Sequence, residues 1–128
     1  FGPACRSHGL ELISLIAPTS EGRVAEIAKA AEGFVYCVSS LGVTGVRSQI
    51  TTDIGAMVRL VKASNPDIPC AVGFGISTPE QAQKMALLSD GAIVGSAIVK
   101  LVAQYGRAAV PYIREYTSAM KAAVTSSL

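Results

Sequence analysis

Ala71-Val72-Gly73-Phe74-Gly75-Ile76-Ser77 and, further along, Gly91-Ala92-Ile93-Val94-Gly95-Ser96-Ala97 are two apolar runs that each stop at a glycine and lead into a helix start. A strand that ends this way brings bare backbone N–H groups and the positive end of a helix dipole to one point in space. That combination holds a phosphate without a lysine. The two stretches therefore bear on both fold and function.

Working outward, apolar runs and helical stripes alternate. Residues 11–17 (ELISLIA) form a short apolar run, expected as a buried strand, and Pro18-Thr19-Ser20 ends it, with Ser20 able to cap a helix. Val24, Ile27, Ala28 and Ala31 then recur at helical spacing until Gly33 closes the helix. Residues 34–38 (FVYCV) read as a second strand, and residues 39–52 as a long polar, glycine-bearing loop. Ile54, Met57, Val58 and Val61 give the next helical stripe, ending near Asn65-Pro66, and residues 69–74 are the third strand. Ser77-Thr78-Pro79-Glu80 reads as a capping box with proline in the first turn, and its helix turns Ala82, Met85 and Ala86 inward. Residues 91–95 form the fourth strand, 96–105 a short extra helix, and 108–124 a longer final one with Pro111 near its start.

The order is α-β-α-β-α-β-α-β-α-α, with no linker and no low-complexity segment. Strands this continuously apolar belong to parallel sheets covered on both faces, and their alternation with helices gives right-handed βαβ units. Two glycine-marked ends in succession match the phosphate site that barrel enzymes build after their last two strands. A complete eight-stranded barrel needs roughly 200 residues or more. The expectation is an α/β chain forming half of a (β/α)8 TIM barrel, a single (β/α)4 domain over residues 1–128. A small doubly wound sheet is the weaker alternative. The chain opens at Phe1, and residues 1–9 read as the end of a helix closed by Gly9; a helix lacking its preceding strand points to a fragment.

Composition excludes several functions. The chain is 50% hydrophobic and 16% charged with a net charge of +2, and its lysines and arginines are scattered. Nucleic-acid binding needs clustered cations and is not expected. Cys5, Cys37 and Cys70 sit singly, no CxxC occurs and there is one histidine, so no metal site is expected. Cys37 and Cys70 lie in apolar runs and read as buried reduced thiols. No apolar stretch reaches the ~18 residues of a membrane span, and no signal segment is visible. The expectation is a cytoplasmic chain without membrane contact.

Taken together, Ala17-Pro18-Thr19, Gly33-Phe34-Val35-Tyr36, Ser40-Leu41-Gly42-Val43-Thr44-Gly45-Val46-Arg47, Gly73-Phe74-Gly75-Ile76 and Gly91-Ala92-Ile93-Val94-Gly95-Ser96-Ala97 resemble the alpha subunit of tryptophan synthase. The resemblance runs from about Ala4 to the C-terminus. GVTG, then GFGI, then GSAIV in this order is more specific than any one piece. The family is a (β/α)8 barrel, and the match covers its second half, strands five to eight. The resemblance implies a lyase of tryptophan biosynthesis that cleaves indole-3-glycerol phosphate to indole and glyceraldehyde 3-phosphate. It implies a beta-subunit partner that receives the indole and holds the PLP, with no cofactor on this chain. It also implies site residues: Gly45, Gly75, Gly95 and Ser96 at the substrate phosphate, Tyr36 and Phe74 along the indole and glycerol pocket, and residues 41–49 as a mobile lid with Gly42 and Thr44.

Elementary chemistry agrees at these positions. A glycine lets an anion approach the backbone closely, and Ser96 adds a hydroxyl where a helix dipole favours negative charge. Glycines flanking Thr44 let a lid change conformation cheaply. Each feature has a plainer reading. Strand-end glycines are often turn formers, Phe74 fits a barrel core, and Tyr36 points either inward or toward the helices. The 39–52 segment fits a long connection.

The acid and base of the reaction are expected elsewhere. Carboxylates with tuned pKa normally serve there. The resemblance places the family's two acids on early barrel strands, outside the matched half. The carboxylates present sort onto other duties: Glu11 and Asp90 at strand starts, Glu26, Glu32 and Glu115 on or after helices, Asp53 and Glu80 in first helical turns, and Asp67 in a loop. Only Glu21 falls near a strand's C-terminal end, opening a helix. The expectation is no catalytic residue and little or no activity from this chain alone. The alternative function is a non-catalytic half barrel that binds phosphate or docks on a beta subunit. A third possibility is another phosphate-binding barrel enzyme, against which the GVTG segment argues. A half barrel exposes two sheet edges; a second copy, a missing half on another chain, or loss of the first half by truncation or proteolysis each accounts for them, and self-association into a homo-oligomer is the expectation for the isolated chain.

Overall fold

The computed structural model describes residues 1–38, 47–73 and 75–126. Helix α1 (Gly2–Ser7) leads to strand β1 (Ser14–Ile16), a 3-10 segment (Pro18–Arg23) and α2 (Val24–Ala30). Then come β2 (Val35–Val38), α3 (Arg47–Ser64), β3 (Cys70–Gly73) and α4 (Pro79–Ala86). The chain closes with β4 (Gly91–Ile93), α5 (Ser96–Tyr105), a short 3-10 turn and α6 (Ala109–Thr125). All four strands lie in one parallel sheet in the order β1-β2-β3-β4. Strand order that follows chain order is the arrangement of consecutive βα units in a barrel wall; a doubly wound sheet reverses direction at a switch point.

The register sorts the strand residues onto two faces. Ile16, Cys37, Val72 and Ala92 form one row across the sheet, and Leu15, Tyr36, Ala71 and Gly91 form the next, on the opposite face. The first face carries the core. Ile16, Val35, Cys37, Cys70 and Val72 are fully buried, packed with Val24 and Ala28 of α2, Ile54, Met57, Val58 and Val61 of α3, and Ala82 and Met85 of α4. The second face is half-open: Leu15 is 57% exposed, and Tyr36, Ala71 and Ile93 are partly exposed. The expected cover on both faces is therefore corrected for the described residues. The open face is the one that a barrel turns toward its axis.

Local chemistry fixes the connections. Asn65 Nδ2 donates to the Ala28 carbonyl at 3.0 Å, tying the end of α3 to that of α2. Lys62 Nζ donates to the Ile68 carbonyl at 2.9 Å, holding the turn into β3. Helix α6 packs across both α4 and α5. The positive φ of Gly9 (67°) and Gly33 (68°) marks the turns after α1 and α2, as the helix-closing glycines predict.

Several boundaries differ from expectation. Strand β1 is three residues long rather than spanning 11–17. Ser20 does not cap α2; its Oγ accepts from Ala17 N–H at 3.3 Å within the 3-10 segment. Helix α3 begins at Arg47, so residues 47–52 are helical rather than loop, and Asp53 is not in the first turn. Arg-Ser-Gln-Ile-Thr-Thr shows no apolar stripe and contains weak helix formers, so the helix extends from the packed stripe at Ile54–Val61 backward. Residues 39–46, the rest of the expected loop, lie outside the described residues. The box capping α4 is one residue later than expected: Thr78 is the N-cap and Gln81 its reciprocal partner.

Candidate functional site

The C-terminal rim of the sheet carries the candidate site. Gly73 on β3 pairs in register with Ile93 on β4, and Gly75 and Gly95 each stand two residues beyond that pair. They therefore follow adjacent parallel strands on the same rim. Gly75 has φ +75°, a conformation that a side chain makes costly. Gly95 is the N-cap of α5, with no side-chain cap, and its carbonyl accepts from the N–H groups of Ile98 (3.0 Å) and Val99 (3.1 Å). The first N–H groups of a helix, here those of Ser96 and Ala97, have no partner within it, so this end presents donors and the positive end of the dipole. Gly95 and Ser96 are exposed, and a Cβ built on Gly95 meets nothing within 4 Å.

Tyr36 lies on the half-open face, which settles its direction as away from the helices. Its phenol leans over Gly73: a Cβ at Gly73 would stand 2.6 Å from Tyr36 Cζ and 2.9 Å from Cε1. The glycine thus gives the ring its seat and lets it reach toward the rim. Of the other expected site residues, Gly42, Thr44, Gly45 and Phe74 lie outside the described residues.

The segment joining β3 to α4 is held by two side chains that the sequence reading did not single out. Gln81 Oε1 accepts from Ser77 N–H (2.9 Å), Ser77 Oγ (3.2 Å) and Thr78 N–H (3.2 Å). Tyr116 Oη, on α6, donates to the Ser77 carbonyl at 2.8 Å. Burial raises the Tyr116 phenol's pKa, keeping it a proton donor. The Thr78-x-x-Gln81 spacing was a readable signal for Gln81. Tyr116 looks in sequence like any residue on the buried stripe of α6.

Two of the described carboxylates sit away from this rim, and a third is at the start of α4. Asp90, before β4, accepts from Cys70 N–H and Lys62 Nζ, both at 2.8 Å, at the opposite end of the sheet. Burial raises its pKa, but the Lys62 and Cys70 hydrogen bonds outweigh burial and hold it below the ordinary aspartate value. Glu32 pairs with Arg6 at 3.1 Å. Glu80 is in the first turn of α4, where its own backbone N–H and the Thr78 hydroxyl lower its pKa. No group of three or more His, Cys, Asp or Glu side chains is placed to hold a metal among the described residues. Among them, too, no helix is long and apolar enough to cross a membrane. Burial, with a contribution from neighbouring Cys70, pushes the Cys37 thiol up to about 12, and burial raises Cys70 as well.

Comparison with known proteins bears on this arrangement. The sequence pattern of the tryptophan synthase alpha chain family matches residues 1–125. The tryptophan synthase alpha chain of Lactiplantibacillus plantarum is 49% identical over 123 residues, covering 95% of this chain and 46% of the relative. That of Bacillus subtilis is 54% identical over 98 residues, covering 77% and 36%. Among solved structures, tryptophan synthase from M. tuberculosis in its aminoacrylate-bound form superposes with a TM-score of 0.75 at 34% identity, covering 95% of this chain and 43% of that one. The alpha subunit from Legionella pneumophila str. Paris gives a TM-score of 0.76 at 30% identity, with 98% and 46% covered. The chain thus spans less than half the length of these relatives, and its four βα units match part of a TIM barrel. On the match over nearly all its residues, this chain belongs to the tryptophan synthase alpha chain family.

Proposed function

We propose that this chain supplies the substrate-phosphate and lid side of a tryptophan synthase alpha active site. The observation that carries this reading is the placement of Gly75 and of Gly95-Ser96 just beyond a registered residue pair on adjacent parallel strands. In that role the uncapped first turn of α5, the Ser96 hydroxyl and the backbone at Gly75 and Gly45 bind the phosphate of indole-3-glycerol phosphate. Tyr36 and Phe74 line the pocket for its indole and glycerol parts, and Thr44, between Gly42 and Gly45, closes over it. Aldol cleavage then yields indole and glyceraldehyde 3-phosphate, and a PLP-bearing beta subunit takes up the indole. The chain itself carries no cofactor.

The proton transfers require carboxylates on the rim; Asp90 and Glu32 are engaged away from it, and Glu80, in the first turn of α4, is held by its own backbone N–H and the Thr78 hydroxyl. Residues 1–128 are therefore one (β/α)4 domain that binds phosphate and is inactive, or nearly so, alone. The exposed edges β1 and β4 and the open row at Leu15 favour pairing, with the N-terminal half of a barrel or with a second copy. The setting of this chemistry is the cytoplasm.

The test is a steady-state indole-3-glycerol phosphate assay of the 128-residue chain alone and with an N-terminal half from a relative, alongside titration with glycerol 3-phosphate. Saturable glycerol 3-phosphate binding, no turnover alone and turnover on mixing are expected. Near-normal turnover from the chain alone would refute the assignment of the acids to another segment. Absence of saturable binding in both samples would refute the phosphate site.

A further inference from the structure

The two sides of the candidate site belong to different βα units: Gly75 to the segment after β3, Gly95 and Ser96 to the segment after β4. A phosphate held by both requires their separation to be set before it arrives. Strand register fixes Gly73 against Ile93. Beyond that pair both segments leave the sheet, and the ladder no longer constrains them.

Tyr116 bridges this gap. Its hydroxyl donates to the Ser77 carbonyl at 2.8 Å across 39 positions of sequence. Its side chain also lines, with Val94 and Ile98, a cavity of about 400 Å³ that runs along β4 beneath α6. Helix α6 packs against both α4 and α5, so this bond ties the segment bearing Gly75 to a helix seated on α5. Gln81 holds the other polar group of the same residue, accepting from Ser77 N–H at 2.9 Å. With its carbonyl and its N–H both engaged, Ser77 is fixed two residues after Gly75. An anion binding to a segment already ordered loses less conformational freedom.

We propose that Tyr116 is a positioning residue for the anion site: its hydroxyl, through the Ser77 carbonyl, sets the β3–α4 segment against the N-terminus of α5. The proposal rests on the phosphate reading above and adds a residue remote from the anion. Packing alone does not call for a tyrosine here. Phenylalanine fills nearly the same volume, and the hydroxyl's visible task is the bond to Ser77.

The experiment compares the wild-type protein and Tyr116→Phe, expressed with any sequence that flanks this chain in its gene. Calorimetric titration with glycerol 3-phosphate and with inorganic phosphate gives Kd, and thermal unfolding without ligand gives Tm. The expected result is a Kd about three- to tenfold higher in Tyr116→Phe for both anions, the size of one lost hydrogen bond. Unchanged Kd with a lowered Tm means that the hydroxyl serves stability only, and overturns the proposal. Unchanged Kd and Tm overturn it equally. Wild-type protein that binds neither anion would show that the phosphate reading itself had failed, a result separable from these because it appears before any substitution.

Discussion

The phenol of Tyr36 occupies the space that a Cβ on Gly73 would need, with Cζ 2.6 Å from that position. The two residues sit on neighbouring strands, on the face turned away from the helices. Replacing Gly73 with alanine therefore forces the ring aside or moves the backbone. Overpacking of this kind typically costs about 1–3 kcal/mol. Gly73→Ala is expected to lose stability in that range by denaturant unfolding, and Tyr36→Ala in the same background to restore part of it. A double-mutant cycle should give coupling of at least ~0.5 kcal/mol. Additive effects would show that ring and glycine do not compete for space.

Gly95 and Gly75 are expected to separate ligand binding from folding. A Cβ on Gly95 meets nothing within 4 Å, so Gly95→Ala should cost about 1 kcal/mol or less, the poorer N-cap that alanine makes. Methylene and methyl groups at this N-cap stand where an anion would approach, so Gly95→Ala, and more strongly Gly95→Asp, should weaken glycerol 3-phosphate binding by tenfold or more (~1.4 kcal/mol). Gly75→Ala should also cost roughly 1–2 kcal/mol of stability, because its φ is +75°. Equal anion affinity in wild type and Gly95→Asp would remove Gly95 from the site.

Much of this arrangement was legible in sequence, and the rest was hidden for identifiable reasons. Glycine-terminated apolar runs and helical stripes gave the βα order, because each element buries one repeating face. The start of α3 was hidden by its polar first turns, which packing farther along recruits into the helix. The open face of the sheet was hidden because a barrel interior is as apolar as a helix-covered face. Leu15 and Tyr36 therefore read like Ile16 and Cys37, although only the latter pair is fully buried. The Tyr116–Ser77 bond joins residues 39 apart and has no local signature. Motif resemblance singled out Gly75, Gly95 and Ser96 as candidates, whereas nothing local in the sequence signals that Gly73 is the seat of Tyr36.

Thiol chemistry offers an independent check on the core. Cys37 and Cys70 are fully buried, on adjacent strands, and burial pushes the Cys37 thiol up to about 12. The thiolate is the reactive form, so neither residue should react with an aromatic disulfide reagent at pH 8 in the native chain. Cys5, on α1, is partly exposed and free. One fast-reacting thiol per chain is expected under native conditions and three in denaturant. Rapid labelling of all three in the native chain would contradict the packing of β2 and β3.

The final prediction concerns acid stability. Asp90 and Cys70 exchange backbone contacts: Asp90 N–H donates to the Cys70 carbonyl at 2.9 Å, and Cys70 N–H donates to Asp90 Oδ2 at 2.8 Å. Lys62 Nζ adds an ion pair at 2.8 Å between side chains that are 33% and 47% exposed. At that exposure the pair contributes about 1 kcal/mol or less. Burial opposes the charged form, yet the hydrogen bonds from Lys62 and Cys70 keep the carboxyl's pKa below its ordinary 3.8. A carboxylate favoured by folding adds stability that is complete above the unfolded pKa and fades as pH falls through the lower folded value. Asp90→Asn keeps an oxygen for Cys70 N–H but not the ion pair. It should unfold at lower denaturant than wild type at pH 7, with the gap still open at pH 4 and shrinking only below the ordinary aspartate value. A gap that closes between pH 7 and 5 would assign the effect to a different titrating group and detach Asp90 from the latch between α3, β3 and β4.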